Sequence, residues 1–432
     1  MLRTVLRVPG FILVSLTFLS AAALITVAFA GASPSALPAA DTPRDEDLGI
    51  IDSMWRAEWF DQWYASRHPA LVHAPPPPPL SNDAYIRRLD GYRALHPLSL
   101  AFDPRLEPSF PDWQTRARDA LHTLLFPAEP PHTMPTARLL PGSKDLAEEN
   151  RLPFRRYILS KYEFESRPGR QVRALLAVPR DLRDGERRPA ILALPGHHGS
   201  PESCFAMDGL SLGPPFDPGA YLYSYGHLLA NAGYVVLVPD TAYCPFTSGS
   251  ATPDLPTDWT LEGSRVWDAM RAIDVLQTLP EVYPDRIGVF GHSLGGETAM
   301  FLAALDTRIK VTVFSGYLHG YDPAQGCPCH VVPGLENLMR YSDVCALVAP
   351  RFLLNAEGVV DLGDAARDQA RDIRFTFARA GAEESFLQVI HAGGHLFYCG
   401  PEVLRSLHEA LVPRAPSSYC AASAAISSGD RM

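Results

Sequence analysis

Gly291-His292-Ser293-Leu294-Gly295 lies between an apolar strand pattern, Arg286–Phe290, and an Ala- and Leu-rich helix pattern, Glu297–Leu305. A serine at the tip of such a strand-to-helix turn is held in a strained backbone conformation that crowds its neighbours. The positions two before and two after it therefore accept little beyond glycine. Gly291 and Gly295 meet that demand. The glycine spacing alone arises often by chance. A strand before it and a helix after it supply the context in which G-x-S-x-G presents a nucleophile.

Around this turn, short apolar strands alternate with helical stretches. Ala190–Leu194, Tyr234–Val238, Arg286–Phe290, Lys310–Phe314, Arg351–Leu354 and Ser385–Ile390 are the strand candidates. Tyr221–Ala232, Leu261–Leu279, Ser293–Leu305, Gly363–Ala380 and Glu402–Leu411 have helical periodicity and Pro or Gly stops. The alternation predicts an α/β fold with a mostly parallel central sheet flanked by helices. Tyr157–Glu165 and Gln171–Val178, joined at Arg167-Pro168-Gly169, predict a hairpin that opens a catalytic domain over 151–415. Ahead of it, residues 31–150 form a spacer and a helical N-terminal extension. In that stretch Trp55, Trp59, Phe60, Trp63 and Tyr64 share one helical face, a pattern usual for core packing. Five prolines at 75–79 make a stiff joint, and 112–126 is helical before a proline-punctuated loop. Residues 416–432 are a flexible tail.

Residues 1–30 carry Arg3 and Arg7, an apolar run from Val8 to Phe29, and Ala28-Phe29-Ala30 before Gly31. That order predicts a cleaved signal peptide and a secreted or periplasmic protein. The run is also long enough to remain as a membrane anchor, which is the alternative. With 432 residues, 47% of them apolar, the chain can bury a large core. Its net charge of −10 comes with no long basic run, so the footprint of a nucleic-acid binder is missing. Seven cysteines in an oxidising compartment predict disulfides or burial, with at least one left over. Cys327-Pro328-Cys329 has no second pair to complete a metal site. No metal and no cofactor is implied, and an ester substrate is the expected partner. A membrane is a partner only if the N-terminal segment stays uncleaved.

A serine hydroxyl becomes a useful nucleophile when a histidine takes its proton and a carboxylate fixes that histidine. In α/β-hydrolases the acid follows a late strand and the histidine follows the last strand. Asp361 comes after the strand Arg351–Leu354 and the turn at Gly358, and is the preferred acid; Glu357 and Asp364 are its rivals. His395, in His391-Ala392-Gly393-Gly394-His395, follows the last strand and is preferred as base over His391. The oxyanion hole needs two backbone N–H donors. Leu294 supplies one, and His197, in Pro195-Gly196-His197-His198-Gly199, the other. The His197-His198 pair has no carboxylate-rich partner motif and is not read as a zinc site.

These residues resemble the acetyl xylan esterase and dienelactone-hydrolase-like branch of the α/β-hydrolases. The resemblance rests on Leu194-Pro195-Gly196-His197, the run Pro284 to Gly296, Ala349-Pro350-Arg351-Phe352-Leu353-Leu354 with Gly358 and Asp361, and Gly393-Gly394-His395. It spans about residues 110–412 and implies the triad Ser293, Asp361 and His395, with His197 and Leu294 lending amides. Phe352 stands where relatives usually carry a second proline, and Gly358-Val359-Val360-Asp361 where they carry Gly-Glu-x-Asp. Tyr317–Val348 falls where such enzymes place a substrate-facing insertion. Tyr317, His319 and Tyr321 either line the pocket or pack within that insertion. The implied activity is hydrolysis of a short-acyl carboxylic ester, with acetylated carbohydrates among the candidate substrates. A prolyl-oligopeptidase-like peptidase and a catalytically silent binding protein are the alternatives; the chain lacks a propeller-like repeat for the first and keeps Ser, Asp and His against the second. Asp240 reads as a structural loop carboxylate. Glu262, Arg265 and Asp268 read as a solvated or scaffold-facing ion-pair set.

Overall fold

The computed structural model of the protein describes residues 80–412 apart from 129–133, 143–144, 151, 153–154, 198, 206, 208–223, 243–254, 257, 319–327, 359–362, 392–394 and 396–400. The expected signal segment at 1–30, the aromatic positions at 55–64, the five prolines at 75–79 and residues 416–432 lie outside the described residues. In chain order the elements are α1 (Asn82–Arg93), α2 (Phe110–Leu125), β1 (Arg138–Leu139), α3 (Leu146–Glu149), β2 (Tyr157–Arg167), β3 (Arg170–Pro179), β4 (Arg188–Leu194), α4 (Pro201–Cys204), α5 (Tyr225–Asn231) and β5 (Val235–Pro239). There follow α6 (Leu261–Thr278), β6 (Val282–His292), α7 (Leu294–Leu305), β7 (Ile309–Ser315), α8 (Leu335–Leu338), α9 (Tyr341–Ala346), β8 (Phe352–Gly358), α10 (Asp364–Arg379), β9 (Phe386–His391) and α11 (Pro401–Leu411).

The strands form one sheet in the order β1-β2-β3-β5-β4-β6-β7-β8-β9. The predicted hairpin is present, with Tyr157 opposite Pro179 and Arg167 opposite Arg170. From β1 to β5 the pairing is antiparallel; from β5 through β9 it is parallel. This is the mostly parallel sheet that the alternation of patterns predicts. β4 shows why its residues make a central strand. Ala190, Leu192 and Leu194 enter the core on one face, and Ile191 and Ala193 the core on the other. A strand covered on both faces has no polar side to show, so it reads as a continuous apolar run. One core collects α1, α2, α6, α7, α9 and α10; the other collects α3, α5 and α11.

No sustained apolar pattern in the sequence marks the boundaries of α1. The Ser81 hydroxyl caps it by accepting from the Ala84 amide at 3.2 Å, and only Tyr85 and Leu89 are buried along it. Tyr85 stacks on Phe375 of α10 with centroids 4.1 Å apart. α2 packs Trp113, Ala117, Leu121 and Leu125 into the same core. Its polar residues close the ends of other helices. Gln114 donates to the Ala346 and Ala349 carbonyls, and Arg118 to those of Ala304 and Leu347, at the C-terminal ends of α7 and α9 and in the turn after α9.

Of the two readings of the Glu262, Arg265 and Asp268 set, the structure supports the scaffold-facing one: all three are buried. Arg265 donates to Glu262 at 2.6 Å. Asp268 accepts from Arg167 at 3.4 Å and from Arg170 at 3.1 Å. Charges taken out of water must be paired, and here both carboxylates are. Cys345 is a buried thiol, whereas Cys329 is held in a disulfide.

Candidate active site

β6 ends at His292 and α7 begins at Leu294, which leaves Ser293 alone at the corner with φ 55° and ψ −121°. The glycines around it are dictated by contact. A Cβ at Gly291 would lie 2.0 Å from the Gly295 carbonyl oxygen, and one at Gly295 would lie 2.0 Å from that of Leu194. The second contact presses the end of β4, and hence the loop that starts at Pro195, against the turn. Within that loop the Gly199 amide donates to the Gly196 carbonyl at 3.0 Å, so His197 sits on a tight turn. Leu294, buried, opens α7, whose first amides have no partner within the helix.

His395 Nε2 lies 2.9 Å from Ser293 Oγ. Residues 102 apart in sequence are thereby joined at hydrogen-bond distance, and an imidazole in that position can take the hydroxyl proton. Gly316 leaves room for the ring. Its φ is +65°, and a Cβ there would stand 3.0 Å from His395 Cε1 and 2.8 Å from His292 Cε1. His292, the residue before the serine, is buried against His395 with ring centroids 4.8 Å apart. Burial, then His395 and His391, hold its pKa well below the ordinary imidazole range. It packs as a neutral wall and leaves proton transfer to His395.

Asp361, His319 and Tyr321 lie outside the described residues, and no contact is assigned to them. Glu357, the rival acid, is buried at the end of β8. Its Oε1 accepts from the Tyr317 amide at 3.2 Å and from Asn355 Nδ2 at 2.8 Å. His391 is buried as the last residue of β9. Tyr317 is buried as well, with its hydroxyl donating to Glu297 at 2.6 Å and its ring stacked on His330. Glu297, His330 and Tyr341 are neighbours of the site that the sequence did not single out. They come from α7, a short turn at Pro328–His330 and α9, too far apart in the chain for any local spacing to signal them.

A mostly parallel sheet flanked by helices, with a serine elbow between β6 and α7, is the architecture of the α/β-hydrolase fold. A family model described as the dienelactone hydrolase family matches residues 224–325, the stretch from α5 through β7 that contains the elbow. YtaP of Bacillus subtilis (strain 168), which bears a provisional hydrolase name, is 31% identical over 187 residues. That match covers 40% of this chain and 62% of the relative. Among solved structures, a Bacteroides fragilis protein provisionally described as an acetyl xylan esterase superposes with a TM-score of 0.54 at 20% identity, over 76% of this chain and 89% of its own. A glucuronoyl esterase from Solibacter usitatus gives 0.52 at 17% identity, over 73% of this chain and 97% of its own. These two likenesses establish the fold.

Proposed function

We propose that the protein is an exported serine hydrolase that cleaves a short-acyl carboxylic ester, with an acetylated carbohydrate as the substrate class. Ser293 attacks the ester carbonyl while His395 takes its proton, and the amides of Leu294 and His197 receive the oxyanion. The alcohol leaves with the proton from His395. Water then releases the acid from Ser293, with His395 again as base. Asp361 is the acid that orients His395 in this reading, supported by its place in the sequence between β8 and α10. The observation that carries the reading is the 2.9 Å contact between Ser293 Oγ and His395 Nε2 at a left-handed corner closed by two glycines. The names borne by the two esterase structures support the ester class, and residues 1–30 support export.

The test is hydrolysis of p-nitrophenyl acetate, butyrate and octanoate by the protein and by Ser293→Ala. Activity that is highest on acetate and falls at least about 10³-fold in the variant supports the proposal. A wild type inactive on all three, or a variant that keeps the activity, would refute it.

A further inference from the structure

His330 ends the turn Pro328–His330 with a ring on either side. Its imidazole stacks on Tyr317, centroids 5.0 Å apart and planes 25° apart, and meets the His197 ring edge-on at 4.7 Å. Tyr317 follows the glycine against which His395 rests, and His197 lies on the loop pressed against the elbow. His330 thus bridges, ring to ring, the residue after Gly316 and the loop after β4, the two segments packed against the elbow and its histidine. Its side chain is 16% exposed. Nδ1 is bonded to Glu297, and among the described residues no partner reaches Nε2.

The ring is clamped from below. Glu297, buried on α7, accepts from the Tyr317 hydroxyl at 2.6 Å and the Tyr341 hydroxyl at 2.9 Å through Oε1, and meets His330 through Oε2. Burial, reinforced by Glu297, lifts both phenols well above their ordinary range, so they remain donors. Arg265, paired with Glu262, donates to the Cys329 carbonyl and so fixes the backbone just before His330. None of these groups takes part in the proton transfers at Ser293. Together they hold one partly exposed ring edge in a fixed direction, which is how a binding group is preorganised.

The chemistry of that edge selects its ligand. With Glu297 as acceptor, Nδ1 carries the hydrogen. Nε2 is then an acceptor in the neutral ring and a donor in the protonated ring. A hydroxyl both donates and accepts, so it matches either form; a carboxylate matches only the second and an ammonium only the first. We infer that His330 Nε2 binds a hydroxyl of the sugar that carries the scissile ester. This specificity role rests on the ester-hydrolase reading above.

The experiment measures acetate release from a methyl xyloside bearing one acetyl group and free hydroxyls, and from the same ester with those hydroxyls methylated. The enzymes are the wild type, His330→Phe, which keeps the ring stack and loses both nitrogens, and His330→Gln, whose amide donates and accepts. The wild type should prefer the free-hydroxyl ester. His330→Phe should lower that preference roughly tenfold, through KM, and His330→Gln should retain part of it. A wild type without preference, or variants that leave the ratio unchanged while both substrates fall together, overturns the inference and marks His330 as structural. Loss of the ester-hydrolase reading itself shows separately, as p-nitrophenyl acetate hydrolysis that survives Ser293→Ala, and the inference falls with it.

Discussion

Gly316 turns the chain out of β7 at a φ of +65°, with the His395 ring at the distance where a methyl group would press on it. Gly316→Ala should therefore push His395 away from Ser293. A misplacement on the order of 1 Å lowers turnover about 10²-fold, so kcat on p-nitrophenyl acetate should fall by that factor. An unchanged kcat would show that His395 can reach Ser293 from elsewhere. Buried His227 in α5 gives a prediction of a different kind. Its Nδ1 pairs with the Tyr157 hydroxyl at 2.6 Å, and burial pushes its pKa down to about 3 from the ordinary 6.5. Below 6.5 the unfolded chain binds a proton that the folded chain refuses, so this residue's contribution is complete above 6.5 and is lost as pH falls toward 3. The loss runs at up to about 1.4 kcal/mol per pH unit. Denaturant titrations should show a shallower acid-side decline in His227→Gln, and an identical slope in both proteins would refute the assignment. At this scale the sequence was legible where a local rule applies: the strained corner demands Gly291 and Gly295 at fixed offsets. Gly316 carries no such mark, because its constraint comes from a histidine that reaches it only in the folded chain.

Helices are held to one another here by buried ion pairs as well as by apolar faces. Arg340, at the head of α9, donates to Asp343 at 2.8 Å, to Asp372 of α10 at 3.2 Å and to the Tyr85 hydroxyl of α1 at 2.7 Å. Burial raises the Asp372 pKa, with Arg88 and Arg340 opposing. Arg340→Met keeps the volume but strips Asp343 of its guanidinium and leaves Asp372 with Arg88 alone, and breaking a buried pair from one side costs about 3–5 kcal/mol. Thermal or urea unfolding should register that loss; a change below 1 kcal/mol, of the order seen for surface pairs, would contradict it. The parallel strands and their helices were readable in the sequence because strands buried on both faces are apolar runs. α1 was not, since its twelve residues bury only Tyr85 and Leu89. Ser81 as N-cap followed by a Tyr85–Leu89 spacing is the signal that would have located it. The Glu297–His330–Tyr317–Tyr341 cluster was invisible for another reason: its partners are 20 to 44 residues apart, and only the packing of α7 against α9 brings them together.

For the whole molecule, the helices ahead of the sheet are part of its core. Trp113, Leu121 and Leu125 of α2 share one apolar cluster with Trp267, Phe301 and Leu347, and Phe126 meets Trp267 with centroids 5.4 Å apart. A fragment spanning 151–415 would expose that surface, and it is expected to aggregate rather than unfold cooperatively; a soluble fragment with a sharp melt would contradict this. The proposed hydrolysis requires Ser293 to be an activated nucleophile. A fluorophosphonate that reacts covalently with activated serines should label the intact protein once, on the peptide containing Ser293, abolish its esterase activity in proportion, and fail to label His395→Ala at a comparable rate. Label on another serine, or full hydrolytic activity in protein whose Ser293 is blocked, would contradict it.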